Sequence, residues 1–168
     1  MGNCAGWDVV REMRDDDVAH VVDVVNDAAT AYDGIVAADA LPEPYMSAGK
    51  LRDEAAAGVV LWVAEMAGDI VGVMGVQNVG DVTLVRHVYV RTALQGFGVG
   101  GMLMRDVLPT VAGRPLLVGT WRIADWAIGF YEKHGFTPVD DAEGDALLRR
   151  YWTIPDRQRE ESLVMRRG

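Results

Sequence analysis

Three apolar runs, Val59 to Met66, Ile70 to Val79 and Val82 to Val90, follow one another with only Ala67-Gly68-Asp69 and Gly80-Asp81 between them. Connections this short join strands as antiparallel hairpins, because a parallel return needs a crossover of a dozen or so residues. The middle of the chain is therefore a β-meander. The pattern then changes. A glycine-rich turn, Gln95 to Gly101, leads into a helix carrying Met102, Leu103, Val107 and Leu108, stopped by Gly113-Arg114-Pro115. Leu116 to Trp121 reads as a strand, Asp125 to His134 as a helix ended by Gly135, and Phe136 to Val139 as a strand. Ala146 to Tyr151 reads as a short helical turn and Glu161 to Met165 as a last strand. A meander followed by alternating strands and helices predicts an α/β (α+β) fold, with a mixed sheet and helices on both faces.

Before the meander, Trp7 to Met13 alternates as a short strand, and Asp15, Asp16 and Asp17 open a helix. Acidic side chains there cap free amides and oppose the helix dipole. Val18, Val21, Val22, Val25 and Ala29 give that helix one apolar face, and Tyr32-Asp33-Gly34 ends it. Pro42 and Pro44 keep Ile35 to Met46 a loop. Ser47 is placed to cap a second helix, Ala48 to Ala57, which Gly58 stops. No repeat or linker interrupts the 168 residues, so the expectation is a single domain over 1–168.

The net charge of −9 argues against a nucleic-acid partner, which wants a basic face. It also means that a phosphorylated ligand must be held by a local device, since the overall field repels it. Cys4 is the one cysteine, so no disulfide forms within the chain. No apolar run has the length of a membrane span, and no basic-then-apolar leader opens the sequence. A cytoplasmic protein without a membrane partner is expected. His20, His87 and His134 lack metal-ligand spacing, so no metal is expected.

The local device is the turn. Its glycines let backbone amides converge, and the helix that starts there adds unpaired amides and a positive dipole end. Gly96, Gly98 and Gly101 satisfy the dinucleotide fingerprint G-x-G-x-x-G. Against that reading, Arg91 to Gln95 intervene after the strand, and no carboxylate ends the next one. A glycine turn with no ligand is the plainer alternative, at a cost in folding entropy without return.

Gln95-x-x-Gly98-x-Gly100 resembles the Q/R-x-x-G-x-G/A pyrophosphate loop of GNAT acetyltransferases. Val88-Tyr89-Val90-Arg91-Thr92 stands where that family has L-x-V-x-P, with Thr92 in place of the proline. Ala127-Ile128-Gly129-Phe130-Tyr131-Glu132-Lys133-His134-Gly135-Phe136 is similar to the family's second motif, with Ala124 where many members carry Asn and Asp125 left to cap the helix. The stretch Tyr151 to Gln158 resembles a subfamily of unassigned substrate.

The resemblance implies a mostly antiparallel sheet with a splayed central strand pair, and acetyl-CoA as cosubstrate. It places the pyrophosphate on Gln95, Gly96, Phe97, Gly98, Val99, Gly100 and Gly101, and the pantetheine along Val88, Tyr89 and Val90. Trp126 and Tyr131 complete the cofactor contacts. It makes Tyr131 the acid that protonates the departing thiolate. Of the polar residues on Val82 to Val90, His87 titrates in the range a proton acceptor needs. Arg86 suits either a carboxylate of the acceptor or a salt bridge to an Asp or Glu of the chain. Strand alternation puts the two on opposite faces unless a bulge intervenes. Tyr32, Glu43 and Tyr45, with Asp39, are the acceptor-side candidates near the loop.

The function expected is acetyl transfer to a small-molecule primary amine, amino-acid-like where Arg86 takes part. The alternatives are an acyl-CoA sensor without turnover and a protein or peptide acetyltransferase on the same fold. Beside the amine, a homodimer is the partner allowed for.

Overall fold

The computed structural model describes residues 9–168; Cys4 and Trp7 lie outside the described residues. The meander forms as expected: β2 (Val60–Met66), β3 (Asp69–Val79) and β4 (Val82–Val90) pair antiparallel. β1 (Val9–Glu12) lies against β2. On the other side come β5 (Leu116–Trp121), β6 (Thr137–Pro138) and β7 (Ser162–Arg167), completing a seven-stranded sheet in the order β1-β2-β3-β4-β5-β7-β6. Among the described residues only the β4–β5 pairing is parallel.

α1 (Val18–Ala29) and α2 (Ala48–Ala56) cover one face, where Val21, Val24, Val25 and Leu51 pack with Leu61 and Val63 of β2 and Val73 of β3. α3 (Val99–Val107) and α4 (Asp125–Lys133) cover the other, with Leu103, Met104 and Tyr131 packed among Met74, Val85 and Val118. α5 (Asp141–Tyr151) sets Leu148 and Tyr151 against Leu84 and Leu117. Leu84 pairs with Gln77, so strand alternation puts α5 on the α1–α2 face. α6 (Asp156–Glu160) follows it.

Asp15 to Asp17 form a 3-10 turn that runs into α1. Asp17 is buried there, where its carboxylate accepts from both terminal nitrogens of Arg11, at 2.7 and 3.1 Å, and from the Arg14 amide at 2.7 Å. Those hydrogen bonds, led by the one from Arg11, outweigh burial and hold its carboxyl below the usual range.

α3 lies close on the sheet because Gly72 offers no side chain. A Cβ there would stand 2.9 Å from Val99 Cγ1 and 3.1 Å from Leu103 Cδ1, both on buried residues. Gly72→Val is expected to destabilise the fold by about 1–3 kcal/mol through overpacking, read as a lower melting temperature. An unchanged melting temperature would mean that α3 adjusts freely on the sheet.

β4 and β5 pair only between Thr83–Val85 and Leu116–Val118. Beyond that point β4 continues to Val90 and β5 to Trp121 without pairing to each other, so the sheet opens between them. β4 also carries a bulge. Arg86 faces Gly75 and Tyr89 faces Val73, so His87 and Val88 together oppose Met74. His87 sits at φ 54°, in the left-handed region. For a residue with a Cβ that conformation costs on the order of 1–2 kcal/mol.

Candidate active site

The glycine turn follows β4, one strand of the open pair, after a short 3-10 turn at Thr92–Leu94. Gly96 and Gly98 take φ of 84° and 87°, which side-chain-bearing residues rarely adopt. The helix begins at Val99, three residues earlier than its apolar pattern indicates, so Gly100 and Gly101 lie in its first turn. The first amide to fold back is that of Met102, which donates to Gly98 O at 3.0 Å. The amides of Val99, Gly100 and Gly101 are thus the free donors of a helix start. Gly100 also lets α4 approach: a Cβ would stand 3.0 Å from the Phe130 ring. Phe97 projects outward, 76% exposed.

Gln95 ties the turn to β4, and Asp27 of α1 ties down the segment just before it. Gln95 Nε2 donates to Val90 O at 3.1 Å. Thr92 donates its amide to Asp27 Oδ2 at 2.8 Å and its hydroxyl to the same carboxylate. A proline at this position would have no amide to give. Arg91 donates its amide to Val71 O on β3, so alternation turns the polar backbone of Val90 and Val88 toward the open gap.

Tyr131 of α4 is buried and lines a cleft of about 390 Å³ at the gap. Among the described residues its hydroxyl has no hydrogen-bond partner. Burial, with the nearby phenols of Tyr32 and Tyr45, pushes its pKa up, so it stays protonated. Asp125 lies in the first turn of α4 but does not cap it; the cap position is Ala124, fully buried and without a side-chain bond.

Across the same cleft stand Arg86 and His87. Simple alternation would have set them on opposite faces, and the bulge brings them to one carboxylate instead. His87 Nε2 is hydrogen-bonded to Glu54 Oε2, and Arg86 Nη2 lies 3.4 Å from Glu54 Oε1. Arg86 Nη1 also donates to Gln77 Oε1 at 3.1 Å. Burial works to raise the Glu54 carboxyl, but the hydrogen bond from His87 and the charges of Arg86 and Lys50 outweigh it and hold it below the usual range.

The expected Tyr32 and Tyr45 line the cleft. Tyr45 and Tyr89 share a hydroxyl hydrogen bond of 2.8 Å, and Trp121 Nε1 donates to Tyr45 at 3.1 Å. Burial pushes the Tyr89 phenol well up. Trp126 does not line the cleft; it is 48% exposed and stacks on Tyr32 at 6.0 Å. Glu43 is exposed and lies with Asp33 to Leu41 along a separate surface hollow of the loop. Asp39 is taken by Arg157 of α6 at 2.9 Å.

Glu54, Lys50, Trp121 and Trp152 line the cleft without having stood out in the sequence. Trp152 follows α5 and lies over Gly119, where a Cβ would stand 3.5 Å from the indole. Its part in the cleft comes from α5, which is longer than the short turn its pattern suggests. Among the described residues no three His, Cys, Asp or Glu side chains could hold a metal ion, and no helix is long and apolar enough to cross a membrane.

A family model described as "Acetyltransferase (GNAT) domain" matches residues 57–138, from the end of α2 through β6. Comparison with curated proteins finds no match. Among solved structures, the PaiA N-acetyltransferase of Thermoplasma acidophilum, in complex with coenzyme A, superposes with a TM-score of 0.72 at 15% identity, over 96% of this chain and 99% of that one. An acetyltransferase of the GNAT family from Staphylococcus aureus Mu50 gives 0.72 at 14%, over 96% and 98%. The ribosomal-protein-S18-alanine N-acetyltransferase of Escherichia coli gives 0.68 at 14%, over 96% and 93%. At such identities the likeness is one of fold.

Proposed function

Because the chain is a member of the GNAT acetyltransferase family, we propose that it moves the acetyl group of acetyl-CoA onto the primary amine of a small molecule held in the 390 Å³ cleft. The observation that carries this reading is a single cavity at the open strand pair, lined both by a phenol without a protein partner, Tyr131, and by an imidazole, His87. A sensor has no use for a proton donor beside the thiol, so Tyr131 favours turnover.

The residues divide the work. The amides of the turn Gln95 to Gly101 hold the pyrophosphate, where dipole and convergent donors offset the chain's negative field. The backbone of Val88 to Val90, turned into the gap, pairs with the pantetheine. His87 takes a proton from the ammonium, directly or through water, and frees its lone pair. The new C–N bond forms as the C–S bond breaks, and Tyr131 gives its proton to the departing sulfur. The second proton lost by the nitrogen replaces the one Tyr131 gave.

Arg157 ties α6 to the loop through Asp39, and those two segments wall the cleft. That closure suits a compact acceptor better than a peptide chain, the kind of substrate named for the E. coli neighbour. Lys50 and Arg86 face one carboxylate, Glu54, in a chain of net charge −9. Arg86 has five N–H donors and spends two on Glu54 and Gln77. This local surplus of positive charge supports an acceptor with a carboxylate beside its amine.

A matched pair such as L-phenylalanine and phenethylamine differs only in that carboxylate. The wild type is expected to favour the carboxylated amine in kcat/KM by about tenfold, the worth of one hydrogen bond to a charged group. Arg86→Met is expected to lose the preference. Equal kcat/KM for both amines on the wild type would remove Arg86 from the acceptor site.

A further inference from the structure

The bulge in β4 is where the site departs most from an ordinary strand. His87 holds a left-handed backbone without being glycine, so something must favour that conformation over plain alternation. Without the bulge, His87 would point to the α3–α4 face, among the apolar side chains there. With it, His87 reaches a half-enclosed carboxylate on α2, a helix that contributes nothing to the sheet.

Each oxygen of Glu54 has its own partner. Oε1 faces the Arg86 guanidinium, which Gln77 steadies from the other side, and Oε2 meets His87 Nε2. An ionised carboxylate can only accept, so the hydrogen lies on Nε2. A neutral imidazole carries one N–H, which leaves Nδ1 with a lone pair. Among the described residues Nδ1 has no partner, and His87 lines the cleft.

We propose that Glu54 is a positioning residue: its carboxylate holds the His87 ring in the Nε2–H tautomer, so that Nδ1 is the atom that takes the acceptor's proton. The N–H bond of the ammonium breaks, the Nδ1–H bond forms, and the electron pair stays on the amine nitrogen for attack on the thioester carbon. Glu54 then faces an imidazolium, which loses its proton to solvent after the product leaves. Arg86 serves this arrangement by fixing the carboxylate. The proposal rests on the acetyltransferase reading of the cleft.

A double-mutant cycle tests it, run with acetyl-CoA and the faster amine of the matched pair. His87→Gln is expected to lower kcat about a hundredfold, and Glu54→Gln about tenfold or more, with KM for acetyl-CoA unchanged in both. If Glu54 acts through His87, the double variant is no slower than His87→Gln alone. Costs that multiply in the double variant overturn the role of Glu54 and leave His87 standing. Full turnover by His87→Gln overturns the proton-acceptor reading itself, and the proposal with it. A second readout needs neither an acceptor nor a Glu54 variant that folds. The proton spectrum of the wild type is expected to show an imidazole N–H resonance far downfield of the amides, absent from His87→Gln; its absence from the wild type overturns the Glu54–His87 arrangement.

Discussion

Tyr131→Phe is expected to lower turnover by about a hundredfold while leaving CoA affinity unchanged. General acids commonly contribute that much, and the substitution removes one oxygen from a ring otherwise held by packing. The ring lies 5.4 Å from Phe130 and 5.8 Å from Phe136, and it keeps both contacts as phenylalanine. Steady-state kinetics with CoA calorimetry separate the two effects. Because burial raises the phenol's pKa, Tyr131 stays a proton donor through the whole neutral and mildly basic range. No fall in turnover below about pH 10, the ordinary phenol value, is therefore expected from its ionisation. A variant with full turnover, chemistry being rate-limiting, would make Tyr131 a packing residue.

Gly98→Val is expected to weaken CoA binding by about tenfold or more. Gly98 holds φ of 87° with nothing within 4 Å of a Cβ, so the backbone rather than space is what valine offends. The left-handed conformation costs a side-chain-bearing residue about 1–2 kcal/mol. The turn can relieve that cost by rotating its amides away from their common point, and about 1.4 kcal/mol is tenfold in affinity. Gly58→Val supplies the control. Gly58 has φ of 103°, also in open space, beyond the C-terminus of α2. It is expected to lose stability without losing CoA. Unchanged CoA affinity in Gly98→Val would place the cofactor elsewhere.

The parts legible in the sequence are those governed by local rules. The meander is readable because its turns are too short for any other return. The glycine turn is readable because convergent amides answer a need that an acidic chain creates. What stays hidden depends on contacts distant in sequence. α5 looks like a turn from Ala146 onward because Gly144 reads as a breaker. In the fold Asp140 caps the helix, accepting the Glu143 amide at 2.9 Å, and Gly144 is buried against Val139 and Val164. The two-residue β6 is shorter than Phe136 to Val139 because only Thr137 and Pro138 pair in register with β7, although the Val139 amide still reaches Val164 O.

The same distinction runs through the site. Tyr131 and the turn are both named by motifs, and α4 packs against the turn where Gly100 meets the Phe130 ring. Glu54 carries no signal, since a charged residue on a short amphipathic helix looks like an ordinary solvated one. Its meaning comes from two partners more than thirty residues away in β4. Arg86 and His87 are each visible as polar residues in an apolar strand. Their common side is not, because nothing in Arg86-His87-Val88 marks a bulge. Glu43 has the right chemistry and the wrong side of its loop.

The most direct measurement is a structure of the chain with CoA bound. The pyrophosphate is expected on the amides of Gln95 to Gly101, with the pantetheine along Val88 to Val90. The thiol is expected within hydrogen-bonding reach of the Tyr131 hydroxyl, opening onto the cleft that holds His87. CoA bound away from the open strand pair, or with its sulfur turned out of the cleft, would contradict the account.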